Sequence, residues 1–190
     1  MSANTLFISV QNIKDRTAVH ANIDEKLVNP ETKTCQDMYI LPTLGSGLYL
    51  RLQAGIVAND LNLDEVNLLD NYLADCLIYF VMAELPIGLS YQFYNKGLLR
   101  KGGENTENPS MQDMIDVANR YRARAEFYKE RMIKFLQENQ IKYPEYLDFG
   151  SGLDAIQPDR SGYSSSIWLG DEYSCSKSLE EKYQGKNGTC

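Results

Sequence analysis

Histidine is almost absent from this chain. Among 190 residues there is one, His20, set in a polar stretch with no partner at ligand spacing. A lone imidazole with no nucleophile or carboxylate beside it is a poor general base, so histidine-driven catalysis is not expected. Cysteine is sparse as well. Cys35, Cys76, Cys175 and Cys190 form no CxxC and no Cys/His cluster, which argues against zinc and dithiol chemistry. Two of them fall inside apolar helical patterns, where a thiol packs as a small hydrophobe, and a reducing site of synthesis is expected. No G-x-S-x-G, P-loop or H-E-x-x-H occurs. The glycine-rich "KGGENTE" lacks G-K-[ST] and does not directly open its helix, so it reads as a flexible loop. The expectation is a protein that is not an enzyme and has no catalytic residue, no cofactor and no metal.

Long apolar runs are missing too. The richest, "CLIYFVMAELPIG", is interrupted by Glu84 and Pro86 well short of a membrane span. The start, "MSANTLFISVQNIKDR", has neither a basic beginning nor an apolar stretch, so no signal peptide and no membrane partner are expected.

Tyrosine is what the chain has in excess: 13 Tyr against 6 Phe and 1 Trp. A tyrosine buries a large ring and keeps a polar tip, which suits half-exposed core edges and surfaces covered by a partner. The net charge of −7 disfavours tight general binding to nucleic acid. That charge is unevenly spread. Residues 1–85 carry 5 basic and 11 acidic side chains, residues 86–135 carry 9 and 6, and residues 136–190 carry 5 and 9. A self-associating protein can use such a pattern, the acidic flank of one copy meeting the basic middle of the next.

Periodicity divides the chain into parts. "TLFISVQNI" alternates like a strand or a pairing arm. A helix capped by Asn29, with Pro30 at its first position, is expected to run to a corner at "LPTLGSG". A second short helix then covers Leu48 to about Ala58. A strong helix follows over about 63–85, opened by Asn62 and Glu65 and stopped by Pro86, with Val66, Leu69, Leu73, Cys76, Phe80 and Ala83 on one seam. "GLSYQFYNKGLLRKGGENTENPS" reads as an aromatic strand and polar loop inserted at 87–109. The longest helix starts at Ser110 and Asp113 and carries a faultless seam of Met111, Met114, Ala118, Tyr121, Ala125, Tyr128, Met132 and Phe135. The two long helices are expected to pack antiparallel. Residues 140–190 keep no period yet hold Trp168 and other apolar residues, as an extended arm ordered on another chain would.

The fold expectation is therefore a mainly α protein. A helical domain at 1–139 bears the inserted strand or hairpin, and extended N- and C-terminal arms flank it. The predicted contact residues are Tyr91, Phe93, Tyr94, Lys96, Arg100 and Lys101 on the insertion, Arg120, Arg124 and Arg131 on the last long helix, and Trp168 in the arm. Arg120, Arg124 and Arg131 share one flank of that helix. They are interleaved with Glu126 and Glu130, so a solvated, salt-bridged helix face is the first reading; an acidic protein partner comes next, and nucleic acid last, because no aromatic residue interleaves with them on that face.

The succession of parts resembles the head–tail connector (adaptor) proteins of tailed bacteriophages, and most of all the neck ring proteins of crAss-like phages. The stretches that carry the likeness are "DEKLVNPETKTCQDMYILPTLGSGLYLRL" (Asp24–Leu52) and Leu63–Glu138, about 105 of the 190 residues. The resemblance implies a homo-oligomeric ring, typically a dodecamer, in the virion neck below the portal. Such a ring extends the DNA channel and docks the tail, touching portal and other neck or tail proteins. Genomic DNA would pass through it without specific binding. The other reading is a small helical protein-binding or regulatory module that uses its basic helix at 111–138.

Overall fold

The computed structural model describes residues 5–94, 97–100, 110–148 and 150–160, with the backbone alone for 91–94 and 97–100. The described chain is mainly helical. Helices α1 (Val10–Arg16), α2 (Glu25–Cys35) and α3 (Leu41–Ala58) are followed by α4 (Leu63–Leu68) and α5 (Ala74–Ser90). After the extended segments β1 (Tyr91–Tyr94) and β2 (Gly97–Arg100) come α6 (Met111–Glu138) and the short α7 (Pro144–Leu147).

The expected N-terminal strand is instead a helix start. Ser9 accepts a hydrogen bond from the Asn12 amide and caps α1, whose Val10 and Ile13 are buried. Upstream, the backbone of residues 5–7 is held mainly by the buried amide of Gln36, with buried Gln53 also donating to the Thr5 carbonyl at 3.4 Å. Gln36 accepts from the Phe7 N–H at 2.9 Å and donates to the Thr5 carbonyl and to Tyr49 Oη at 3.0 Å each. A side chain thus supplies the partners a neighbouring strand would have given.

Helix α2 begins earlier than expected. Asp24, not Asn29, is the cap, and Pro30 lies inside the helix. Pro30 is exposed, so the carbonyl its missing N–H leaves free faces water, while Val28, Thr32 and Cys35 bury the other side. A π-helical turn (Gln36–Ile40) joins α2 to α3. The expected corner falls at Gly45, whose φ of +75° and ψ of 161° break the helical path. At its far end α3 closes with a left-handed Asn59, and the Asp60 amide returns to the Gly55 carbonyl at 3.0 Å, a Schellman stop covered by Leu61.

Helices α4 and α5, with a π-helical turn (Leu69–Leu73) between them, form one rod, Leu63–Ser90. The capping box of Asn62 and Glu65 is present as expected. The rod does not stop at Pro86. Beyond it Leu89 packs half-buried against the core, and Ser90 Oγ donates to the Pro86 carbonyl at 2.7 Å. The extra residue of the π turn rotates the faces on either side of it, which leaves the seam residue Val66 38% exposed. Beyond the turn the helix is buried nearly all round: Cys76, Leu77, Ile78, Phe80, Val81, Met82, Ala83 and Leu85. By length and composition this rod could cross a membrane, yet 56% of its most apolar window is covered by the protein itself.

Helix α6 runs antiparallel to the rod. Tyr72 meets Phe135, Cys76 Sγ meets the Ala125 carbonyl, Tyr79 meets Tyr128, and Ser90 meets Met114. Its capping box is Ser110 with Asp113, and Met114, Ala118, Ala125 and Met132 of the expected seam are buried. On the other side of the rod lie α2 and the π turn after it. Tyr39 stacks on Phe80 at 4.0 Å and donates to Glu84.

The chain does not leave the bundle at Asn139. Tyr143 and Tyr146 are fully buried, and Tyr143 Oη donates to the Asp64 carbonyl at 2.8 Å. Residues 150–160 form a strap along α3. The Ser46 amide donates to the Ile156 carbonyl, Ser46 Oγ accepts from the Ile156 amide, and the Asp159 amide donates to the Pro42 carbonyl. The arm expected over 140–190 thus packs within its own chain as far as Arg160. Residues 161–190, Trp168 among them, lie outside the described residues. Backbone pairing sets Tyr91 opposite Arg100 and Tyr94 opposite Gly97, antiparallel.

Two substitutions test this architecture. Leu73→Ala empties a fully buried site on the rod and should cost about 2–5 kcal/mol. Urea unfolding with a loss below 1 kcal/mol would contradict the central position of the rod. A β-carbon on Gly47 would lie 2.2 Å from the Asp148 carbonyl oxygen and 2.5 Å from that of Glu145. Gly47→Ala should therefore lower the melting temperature and speed proteolysis between 148 and 160, at a cost of about 1–3 kcal/mol.

Candidate interface on the flank of α6

Helix α6 spends its cations in two ways. On one side Arg122 donates to Glu84 at 2.8 Å, and Lys129 lies 3.7 Å from Asp159. The Glu84 carboxylate holds the Arg122 guanidinium above its ordinary range. On the other flank Arg120, Arg124, Arg131 and Lys134 have no carboxylate partner among the described residues. Two of these four lie over tyrosines. The Arg124 guanidinium sits 5.5 Å from the Tyr121 ring centre and 6.0 Å from that of Tyr79, and Arg131 sits 4.7 Å over Tyr72.

Beneath them runs an aromatic ladder. Tyr72 stacks on Phe135 at 3.9 Å, Tyr79 stacks on Tyr128 at 5.3 Å, and Phe127 meets Tyr128 edge-on. Helical repetition builds it: Tyr72 and Tyr79 are seven apart on the rod, as are Tyr121 and Tyr128 on α6, so each pair recurs on one face. Phe127 is 63% exposed on the cationic flank. A shallow recess of about 350 Å³ lies between Tyr72, Phe127, Arg131, Lys134 and Phe135, with Glu130 and Glu138 also in its lining, and a smaller one of about 220 Å³ between Val117, Arg120, Tyr121 and Arg124.

This overturns one expectation. Aromatic rings do interleave with the arginines, supplied by Phe127 and Tyr121 of α6 itself and by Tyr72 and Tyr79 across the seam. The heptad spacing of those tyrosines was the available signal; a single-helix reading of the flank misses rings that come from the neighbour. Of the sequence-predicted contact residues, Arg120, Arg124 and Arg131 are brought together here. Tyr91, Phe93, Tyr94 and Arg100 lie on β1 and β2, where only the backbone is described. Lys96, Lys101 and Trp168 lie outside the described residues.

The remaining polar features are structural in kind. Arg51 forks onto the buried Glu65 at 2.8 and 3.1 Å and onto Asp60, tying α3 to the start of the rod. Burial, with Glu84 and Glu31 nearby, pushes the Cys35 thiol up to about 12, and burial raises Cys76 as well, so neither is a thiolate nucleophile. Among the described residues no three His, Cys, Asp or Glu gather as a metal site. The arrangement on α6 suits recognition. Guanidinium groups held on aromatic faces beside exposed apolar surface make the composition of an interface centre.

If these arginines serve a partner and not the fold, removing them should cost little. Exposed cation–π pairs contribute about 0.5–1 kcal/mol each, so the double variant Arg124→Ala/Arg131→Ala should lose no more than about 2 kcal/mol in urea unfolding. A loss beyond 3 kcal/mol would make them part of the core's support.

A family model described as "Family of unknown function (DUF6712)" matches residues 40–154, from the end of the first π turn into the strap. No curated protein and no solved structure matches the chain.

Proposed function

The chain belongs to the family of unknown function DUF6712, and we propose that it is a structural subunit of the head–tail connector of a tailed bacteriophage. In this reading it assembles as a ring below the portal, extends the DNA channel, and gives the tail a docking surface. The hairpin of β1 and β2 reaches neighbouring subunits or the portal, and DNA slides past without being held. The protein works in the virion neck and needs no catalytic centre.

The observation that carries the proposal is the ring-supported cation flank of α6, without carboxylate partners among the described residues, on a helical bundle. A rigid scaffold whose recognition groups lie on one long helix face fits a subunit that binds its neighbours. The order of parts in the sequence, which resembles that of phage connectors, supplies the setting. The same flank also suits a small helical binding module, the second reading, which differs in staying monomeric or dimeric.

The test is genetic and visual. Phage with the gene disrupted should yield DNA-filled or leaking heads separate from tails, and antibody to the chain should mark the neck of wild-type particles in electron micrographs. Normal tailed particles from the disrupted phage would overturn the proposal.

A further inference from the structure

Two exposed surfaces of the described chain carry groups of opposite charge, and they lie on different sides of α6. The first is the flank just described, where exposed Phe127 projects between Arg124 and Arg131. The second is the strap with the outer side of α3. There a recess of about 470 Å³, mostly apolar, opens between Leu41, Tyr49, Leu50 and Ile156, with Asp154 at its edge. Leu50 is 58% exposed, Leu153 wholly so, and the exposed Asp148 carboxylate accepts at 3.3 Å from the amide of Gly150, which lines the recess. Of the cations nearby, Lys129 is already paired with Asp159, and Arg160 lies over the Tyr146 ring.

The placement prevents one copy from satisfying itself. The strap meets α6 at Lys129, through Asp159, and at Gln137, which donates to the Arg160 carbonyl. At about 100° per residue those positions lie roughly 140° and 220° round the helix from Arg124, whereas Arg131 lies within about 20° of it. The basic knob and the acidic-rimmed recess therefore point away from each other. A patch that fits a different patch on an identical copy makes a heterologous contact, which propagates into a closed ring or an open filament.

We propose that Phe127 of one copy enters the recess between α3 and the strap of the next, with Arg124 and Arg131 reaching Asp148 and Asp154 at its rim. The occupant of each face is thus a second copy of this chain. The inference rests on the subunit reading above and names the two surfaces that reading requires. The recess exceeds the volume of a phenyl ring, and the guanidinium groups are already held in place by Tyr72, Tyr79 and Tyr121. Little side-chain freedom remains to be lost on contact.

Charge exchange tests it on the full chain. Arg124→Glu/Arg131→Glu makes both faces acidic, and Asp148→Lys/Asp154→Lys makes both basic. Wild-type protein at low salt should sediment as an oligomer that loosens as salt rises, and each double variant alone should bind itself at least tenfold more weakly. Mixing the two variants in equal amounts should restore assembly in alternation, which only folded chains can do. Phe127→Ser, which leaves the charges alone, should weaken assembly as well. A wild-type chain that stays monomeric at millimolar concentration would overturn the inference, as would oligomers indifferent to both reversals or a mixture that fails to assemble. Indifferent oligomers that are closed rings in electron micrographs would leave the ring reading standing. Open filaments abolished by either reversal would sustain this contact and remove the ring.

Discussion

A helix that is apolar on every side cannot rest on a surface; it has to be surrounded. That constraint, set by α5, organises the described fold. Cys76, Leu77, Ile78, Phe80, Val81 and Met82 are consecutive or nearly so, and together they point in all directions round the axis. Their burial requires cover from α6 on one side and from α2 with its π turn on another. Helix α4 joins the same rod and is tied to α3 through Arg51 and Glu65. Removing that ion pair's cation would leave the buried Glu65 side chain with the Asn62 amide alone as its partner, which is why the fork onto both carboxylate oxygens matters more than its distances suggest.

The cover is completed by irregular chain, and there small residues decide the geometry. Gly45 takes a conformation that side chains disfavour, and Pro158 and the Ile156 carbonyl fill the space where its β-carbon would be. Gly47 plays the same part for the carbonyls of Glu145 and Asp148. The break in α3 therefore does two things: it turns the helix and it opens a seat for the strap. Gln36 does the equivalent at the other end of the chain, where its amide group replaces a strand for residues 5–7. Both devices let extended backbone lie on a helical bundle with its hydrogen bonds met.

Much of this was legible in the sequence, and the exceptions share a cause. The start and seam of α6 and the capping box of α4 could be read directly, because a cap and a heptad are local patterns. Pro30 and Pro86 misled as helix punctuation. Each costs one hydrogen bond; past Pro30 the burial of Thr32 and Cys35 outweighs that loss, and past Pro86 the half-buried Leu89 and the bond from Ser90 to the Pro86 carbonyl hold the last turn. The strand expected at the N-terminus failed because Ser9 offers a cap that alternation does not reveal. Residues 140–160 looked like an arm since Tyr143, Tyr146 and Ile156 have no period. Their partners are distant in sequence, and no local rule reports them. The α6 flank was found by its arginines, but its rings were not, because half of them belong to another helix.

The distribution of charge has a consequence for the connector reading. Among the described residues two cations of α6, Arg122 and Lys129, pair with Glu84 and Asp159, and a second group, Arg124 and Arg131, lies over tyrosine rings. If the second group is taken up between copies, the surface that remains is more acidic than the chain's net charge of −7 alone implies. A channel lined by such surface repels phosphate, and repulsion falling off over about 8–10 Å at physiological salt keeps DNA off the wall without closing the path. Cations in contact with DNA would have the opposite effect, since each neutralised phosphate adds affinity that translocation must then overcome. The same arginines cannot serve both ends. In the proposed connector, assigning them to protein contacts would make a sealed ring compatible with a non-adhesive channel.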